Sequence, residues 1–98
     1  MRIDVSLANA ALYEGCEVET VAGRANLKTP PDQAAEIVGR NVARLVEAVP
    51  ADQRGEVVIT GPMAIWAHLV VFHAVLHRFA RVVYDDGRGN RVTVAAHG

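Results

Sequence analysis

The sequence predicts one small α/β domain in which helices pack on a mixed sheet, with the element order ββαβαββ. Residues 57–59 and 82–84 are short continuous apolar runs, which are typical of strands buried on both faces. Residues 29–50 have the apolar spacing of an amphipathic helix, and residues 62–77 have the almost wholly apolar composition of a buried helix. Because 98 residues leave room for a single core, we expect residues 1–98 to form one domain.

Two alternating segments precede the first predicted helix. Residues 2–8 alternate apolar and polar side chains, which indicates a half-buried strand. Residues 12–21 alternate in a similar way, and only a short link separates the two segments. This arrangement predicts an antiparallel hairpin, followed by a loop at residues 22–28.

Two helices follow from the distribution of apolar residues. Thr29 is a candidate N-cap for the first helix, Pro30 suits its first turn, and Pro50 ends it. Its apolar stripe consists of Val38, Val42, Leu45, Val46 and Val49. The second helix is predicted to begin at Pro62 and to run to about His77. It is apolar nearly all round, so we expect it to be largely buried against the sheet or a partner subunit.

The C-terminal part completes the predicted sheet. Residues 85–90 are rich in Asp, Gly and Asn and indicate a turn, and residues 91–95 alternate as a last strand. The β–α–β unit from 57 to 84 predicts a right-handed crossover between parallel strands. The carboxyl ends of those strands therefore meet at the same edge of the sheet.

Charge and cysteine content exclude several classes of protein. The formal net charge is −1, which gives no basic excess for coating nucleic acid. Cys16 is the single cysteine and cannot form an internal disulfide, which is typical of a reduced thiol. An acid at Asp4 argues against a signal peptide, and the apolar stretch 65–76 is too short to span a bilayer. We therefore expect a cytoplasmic protein with neither DNA nor a membrane as partner.

The first candidate site is the segment that joins the strand at 57–59 to the second helix. In open α/β sheets, ligands bind at the carboxyl ends of strands. Gly61 lets a ligand approach the backbone, and the free N–H groups of Met63, Ala64 and Ile65 at the start of the predicted helix suit a phosphate. Trp66 lies one turn into the helix, where it could stack on a base. Alternatively, Gly61 makes a tight turn and Trp66 fills the core. The residues of this segment are Thr60, Gly61, Pro62, Met63 and Ala64.

Histidines and acids provide further candidates. His73 and His77 are four residues apart on the second helix and can bind a metal or transfer protons. Alternatively, they are interface or partly buried histidines. Asp85 and Asp86 follow a predicted strand, with Arg88 close by, and can bind a metal or form an ion pair. Adjacent acids are also common turn formers, so this alternative stays open.

Residues 57–94 carry a pattern of motifs. In order, they are Ile59-Thr60-Gly61, Pro62, Ile65-Trp66-Ala67-His68, His73, His77 and Val82-Val83-Tyr84-Asp85. This pattern resembles a family of small CRISPR-associated proteins, the Csx-three family, also called the third CRISPR ring-nuclease family.

The resemblance implies a Rossmann-like domain related to the CARF sensor domains. It implies homodimers that associate further, head to tail. It also implies binding and manganese-dependent cleavage of cyclic tetra-adenylate, a second messenger of type III CRISPR complexes, which switches off the downstream effector. By position, the catalytic residues would be His77, Asp85 and Arg88. The ligand would be bound by the segment 60–64 together with Trp66 and His73, and the metal ligands stay open.

Three functions remain as hypotheses at this point. The first is a ring nuclease, in which a ribose 2′-hydroxyl attacks the neighbouring phosphate while the protein orients the sugar and neutralises charge. The second is a module that senses or sequesters a cyclic oligonucleotide without cutting it. The third is an oligomerisation domain whose second helix forms the subunit interface.

Overall fold

A computed structural model describes residues 1–97, and within that range it contains six strands and two helices. The strands are β1 (Arg2–Asp4), β2 (Val18–Val21), β3 (Arg24–Leu27), β4 (Glu56–Thr60), β5 (Arg81–Asp85) and β6 (Arg91–Ala96). The helices are α1 (Pro31–Glu47) and α2 (Ile65–Val75), and a short 3₁₀ turn lies at Ala51–Gln53. The predicted α/β class is confirmed, but the observed order is βββαβαββ rather than ββαβαββ.

A four-stranded mixed sheet has the order β1–β4–β5–β6. Strands β1, β4 and β5 are parallel, and β6 runs antiparallel to β5. The mixed sheet is therefore confirmed, as is the helical connection between the parallel strands β4 and β5. In this register Asp4 lies beside Thr60, which lies beside Asp85. The carboxyl ends of three parallel strands thus meet at one edge.

The hydrophobic core combines valines of both helices with inward side chains of the sheet. On α1, Val38, Val42 and Val46 are fully buried, as predicted from their helical spacing. On the sheet and on α2, the same cluster includes Ile3, Val57, Ile59, Val71, Val75 and Val82. Burying one such side chain stabilises the fold by about 1.5–3 kcal/mol. The helices also pack against each other, so sheet and helices share one core.

Helix α2 is less buried than its composition predicts. Its fully buried side chains lie on one stripe, at Ala67, Val71 and Val75. On another side, Ile65 is 76% exposed and Leu69 is 61% exposed. Within the chain, α2 therefore uses only part of its apolar surface. Neither helix of the described residues is long and apolar enough to cross a membrane.

The predicted hairpin between residues 2–8 and 12–21 is wrong. Strand β1 ends at Asp4 and pairs with β4, while β2 pairs with β3, which lies in the predicted loop. The turn between β2 and β3 uses positive φ angles at Ala22 (52°) and Gly23 (78°). Residues 5–17 form turns instead of strands, because contacts with residues distant in the sequence hold the chain in this conformation.

Asn41 provides the main polar contact to those turns. Its side chain is buried on α1, and Nδ2 donates to the carbonyl oxygens of Leu12 and Glu14, both at 2.8 Å. Leu12 is fully buried beneath the same helix. These contacts come from a distant element, so the local alternation of residues 12–21 gives no sign of them.

Both predicted helix starts need correction. Thr29 does not cap α1, because its Oγ1 accepts the N–H of Glu17 at 2.7 Å, and Pro30 is the N-cap. Helix α2 begins at Ile65 after the N-cap Ala64, so residues 61–64 form a loop in place of the predicted first turn. The helix also ends at Val75, before His77.

Candidate functional site

A cavity of about 560 Å³ opens where β1, β4 and β5 end. Five residues that the sequence analysis singled out line it, namely Thr60, Gly61, Pro62, Asp86 and Arg88. It is also lined by Tyr84, which belongs to the motif pattern of residues 57–94, and by Arg2 and Asp4 of β1, although none of these three was predicted as a site residue. The cavity thus lies at the edge where open α/β sheets bind ligands.

Gly61 turns the chain away from β4 through a close approach to β1. Its φ is +105°, and a Cβ at this position would lie 2.1 Å from Oδ1 of Asp4 and 3.1 Å from the backbone nitrogens of Val5 and Ser6. Oδ1 of Asp4 accepts the N–H of Ser6 at 2.8 Å, so this oxygen has little freedom to move. Only glycine fits here, both by conformation and by space.

His68 holds the same loop from the side of the helix. Its Nε2 lies 3.0 Å from the carbonyl oxygen of Gly61, and its Nδ1 lies 3.4 Å from that of Ala64. A carbonyl oxygen can only accept, so Nε2 carries the proton in the shorter contact. The ring also meets Tyr84 edge to face, with centroids 5.7 Å apart. His68 therefore connects the loop to the wall of the cavity.

The loop before α2 exposes backbone donors. No side chain caps α2, and within residues 1–97 the N–H groups of Met63 and Ala64 have no acceptor. Met63 packs against the core, Ala64 is exposed, and Trp66 is half-buried. None of the three side chains lines the cavity, whereas Tyr84 is the aromatic residue among those that line it. The predicted loop is therefore a donor surface, and Trp66 does not lie where we expected it to stack on a base.

Asp85 joins three neighbouring strand ends. Its carbonyl oxygen accepts the hydroxyl of Thr60 at 2.8 Å. Its carboxylate accepts the N–H of Gly87 at 2.8 Å through Oδ1, and Oδ2 lies 3.4 Å from Nη1 of Arg2. The Asp85 side chain is only 18% exposed, so most of its contacts are within the protein.

Asp86 builds the turn that carries Arg88. The side-chain amide of Asn90 donates to its carboxylate at 2.9 Å, and the N–H of Arg88 donates to it at 2.7 Å. These bonds, that of Asn90 first, hold the pKa of Asp86 below its usual value. Among residues 1–97, the guanidinium of Arg88 has no acidic partner. Its donors are therefore available at the cavity.

The two other predicted site residues lie elsewhere. His73 is exposed and lines a groove of about 730 Å³ between α1 and α2, together with Arg40 and Arg78. His77 is exposed beyond the end of α2, with its ring centroid 6.0 Å from that of His97. Because α2 leads from the carboxyl end of β4 to the amino end of β5, His77 lies at the edge opposite Asp85. Within residues 1–97 of one chain, His73 and His77 therefore do not lie beside Asp85.

Manganese would need several oxygen or nitrogen ligands close together. Within residues 1–97, no three His, Cys, Asp or Glu side chains are grouped closely enough to hold a metal ion. The carboxylates of Asp85 and Asp86 already accept bonds from the turn that follows β5. Residues 1–97 of one chain therefore do not supply a complete set of protein ligands for a metal ion.

His68, Tyr84 and Arg2 could not be recognised as site residues by local spacing. His68 lies one turn into α2, four residues after the N-cap Ala64, which is the one local signal of its contact with the loop. Arg2 joins the site only through the pairing of β1 with β4. No protein-family model matches this chain, and neither does any curated protein or solved structure.

Proposed function

We propose that this chain binds cyclic tetra-adenylate at the cavity formed by the ends of β1, β4 and β5. The observation that carries the proposal is the chemistry of that edge. The N–H groups of Met63 and Ala64 are free, and Arg88 forms no ion pair within residues 1–97. Backbone amides before a helix, together with guanidinium donors, suit a phosphodiester. Tyr84 is the aromatic residue placed to stack on a base.

The likeness of residues 57–94 to the Csx-three family supplies the identity of the ligand. In this proposal the domain is a Rossmann-like relative of the CARF sensors that acts in the cytoplasm on type III CRISPR signalling. A cyclic tetranucleotide exceeds one open cavity, so each chain would hold part of the ring. A homodimer with two-fold symmetry matches a ligand with an even number of repeats. The exposed Ile65 and Leu69 provide an apolar surface for such a dimer.

Cleavage would require a second copy. Asp85 and Arg88 lie at the cavity edge, whereas His77 lies at the opposite edge of the same chain. Head-to-tail association would place His77 of one copy against the cavity of the next. There the ribose 2′-hydroxyl would form a bond to the neighbouring phosphorus while the P–O5′ bond breaks. Arg88 would neutralise the phosphate, and His77 and Asp85 would transfer the protons.

The second candidate function is binding without cleavage. It is favoured by the fact that one chain assembles the binding groups but not His77 with Asp85. Such a protein would sense or sequester the messenger. The two candidates share the same cavity and differ only in the assembly that the ligand induces.

A cleavage assay separates the candidates. The chain is incubated with cyclic tetra-adenylate, with and without manganese, and the products are resolved by chromatography. We expect linear products in the presence of manganese and a ligand-induced rise in melting temperature. Intact ligand together with a rise in melting temperature would favour the sensor. No rise with any cyclic nucleotide would overturn both candidates and leave the oligomerisation domain.

Variants of the two edges test the assembly. His77→Ala and Asp85→Asn should each abolish cleavage, and His97→Ala serves as the control for His77 because the two rings are neighbours. A mixture of His77→Ala and Asp85→Asn should recover part of the activity, because some contacts between copies then contain one intact set. No recovery, with both variants folded, would contradict the head-to-tail site.

A further inference from the structure

We infer that Arg2 is a phosphate-binding residue of the cavity. In the absence of ligand, the carboxylate of Asp85 holds the guanidinium of Arg2, and a phosphate takes the place of this carboxylate on binding. This inference rests on the proposed function and extends it to a residue outside the motifs of residues 57–94. Arg2 lies on β1, yet its side chain reaches Asp85 on β5, so the guanidinium extends over the end of β4. Arg2 also lines the cavity beside Thr60 and Gly61.

The contact between Arg2 and Asp85 is weak. Nη1 of Arg2 lies 3.4 Å from Oδ2 of Asp85, and the Arg2 side chain is 59% exposed. Charge-assisted bonds are normally about 2.7–2.9 Å long, and a well-formed arginine pair uses two nitrogens and two oxygens. Here the other carboxylate oxygen accepts the N–H of Gly87. Arg2 therefore keeps unused donors, and exchange of this partner is easy.

Acidic side chains around the cavity accept hydrogen bonds from backbone N–H groups. Oδ1 of Asp4 accepts the N–H of Ser6, and the carboxylate of Asp86 accepts N–H groups of Arg88 and Asn90. These bonds offset part of the negative charge and fix the loops. By contrast, Arg2 and Arg88 both line the cavity, and among residues 1–97 Arg2 has only the 3.4 Å contact to Asp85, whereas Arg88 forms no ion pair and only helps to lower the pKa of Asp86 by its charge. Arg2 and Arg88 are therefore the cationic groups at the cavity that keep donors for a ligand.

A phosphate is the ligand that fits this arrangement. Planar guanidinium groups bind phosphate oxygens in pairs, and both Arg2 and Arg88 line the cavity that Gly61 opens. When a phosphate takes the place of Oδ2 as the partner of Arg2, the carboxylate of Asp85 loses its ion pair. Binding of the ligand would in this way release the acid that the proposed cleavage uses.

Binding measurements on the full chain test the inference. Arg2→Gln removes the charge and Arg2→Lys keeps it, and Arg81→Gln is the matched control. Arg81 is similarly exposed (54%, against 59% for Arg2) but pairs with Glu56 at the opposite end of the strands. The probes are cyclic tetra-adenylate and inorganic pyrophosphate, measured by titration calorimetry. We expect Arg2→Gln to weaken binding of both probes about ten- to hundredfold, Arg2→Lys to lose less, and Arg81→Gln to match the wild type.

A separate experiment tests whether a phosphate replaces Asp85 as the partner of Arg2. Asp85→Asn should tighten pyrophosphate binding, because Arg2 no longer has a competing carboxylate. The gain should disappear in the double variant Arg2→Gln/Asp85→Asn. A gain that persists in the double variant would show a general effect of charge and would overturn the exchange.

The outcomes separate the inference from the proposed function. Wild-type binding of pyrophosphate that depends on Arg2, without binding of cyclic tetra-adenylate, would overturn the proposed function and support the inference. Binding of cyclic tetra-adenylate that Arg2→Gln leaves unchanged would overturn the inference alone. Failure of the wild type to bind either probe would overturn both. Melting temperatures of all variants show whether they are folded.

Discussion

Nε2 of His68 lies 3.0 Å from the carbonyl oxygen of Gly61, so the helix that follows β4 holds the loop that leaves it. On its other side, Gly61 presses against Asp4 of β1. The loop is thus fixed between a helix and a neighbouring strand before any ligand binds. A fixed loop loses little conformational entropy on binding, which favours affinity.

Replacing His68 should loosen this loop. His68→Leu removes the N–H donor to Gly61 and should lower the free energy of unfolding by about 1 kcal/mol, the usual net value of one hydrogen bond. It should also speed amide exchange at Ala67, whose N–H donates to the carbonyl oxygen of Ala64 at 3.1 Å. His68→Gln keeps a donor of similar reach and should lie between the wild type and His68→Leu. Equal exchange rates in all three proteins would contradict a holding role for His68.

Gly61 should tolerate substitution less than other glycines with positive φ. Gly61→Ala must adopt φ near +105° and also displace Oδ1 of Asp4. Gly23 has φ +78°, and a Cβ added there would meet nothing within 4 Å. Gly23→Ala therefore causes backbone strain but no steric clash. We expect Gly23→Ala to lower the free energy of unfolding in urea by about 1 kcal/mol and Gly61→Ala by clearly more. Equal losses would show that the approach to Asp4 is not restrictive.

Stability should fall at alkaline pH because of Tyr13. Its hydroxyl donates to the carbonyl oxygen of Val5, and burial, with smaller contributions from Cys16 and Asp4, raises its pKa to about 12. The unfolded chain has the ordinary value near 10. Below pH 10 both states are protonated and the stability is fully present. Between about pH 10 and 12 only the unfolded state loses its proton, so stability decreases.

The control for this pH dependence is Tyr13→Phe. This variant should be less stable at neutral pH, because it lacks the bond to Val5, but should lose less stability between pH 10 and 12. The free energy of unfolding in urea at several pH values measures both effects. A wild-type curve that runs parallel to that of Tyr13→Phe across this window would contradict the assignment to Tyr13.

The apolar surface of α2 should mediate self-association. Leu69 is 61% exposed, and Val94 of β6, which lines a small apolar cavity with Leu69, is 47% exposed. Leu69→Asp should convert the proposed dimer to a monomer in light scattering coupled to size exclusion. Val21→Asp places the same charge on the β2–β3 hairpin, at a side chain that is 52% exposed, and should leave the dimer intact. Dissociation by both variants, or by neither, would contradict this interface.

Helix α1 and the strands β4 and β5 were predictable because their signals are local. The apolar runs at β4 and β5 and the spacing of Val38, Val42 and Val46 are written in adjacent residues. The N-terminal hairpin was predicted wrongly because the alternation of residues 12–21 resembles a strand. In the structure, Leu12 is buried in a turn that Asn41 holds from α1. A contact between such distant residues leaves no local pattern.

The same distinction applies to the site. Thr60 ends β4, Gly61 follows it, and Arg88 lies in the turn after β5, so their place at the edge of the sheet could be inferred. Arg2 is a polar residue of an alternating segment, and this position alone gives no sign of a ligand site. Only the parallel pairing of β1 with β4 brings it to the cavity. The distance of His77 from Asp85 likewise depends on the direction of α2 across the sheet.

Backbone amide shifts during a titration with cyclic tetra-adenylate test most directly whether the cavity binds this ligand. The largest changes in the ¹⁵N–¹H spectrum should occur at Gly61, Met63 and Gly87, which surround the cavity and the free donors before α2. Val21, on the projecting hairpin, should change little. Changes centred on the groove beside His73, or no changes at millimolar ligand, would contradict binding at the ends of β1, β4 and β5.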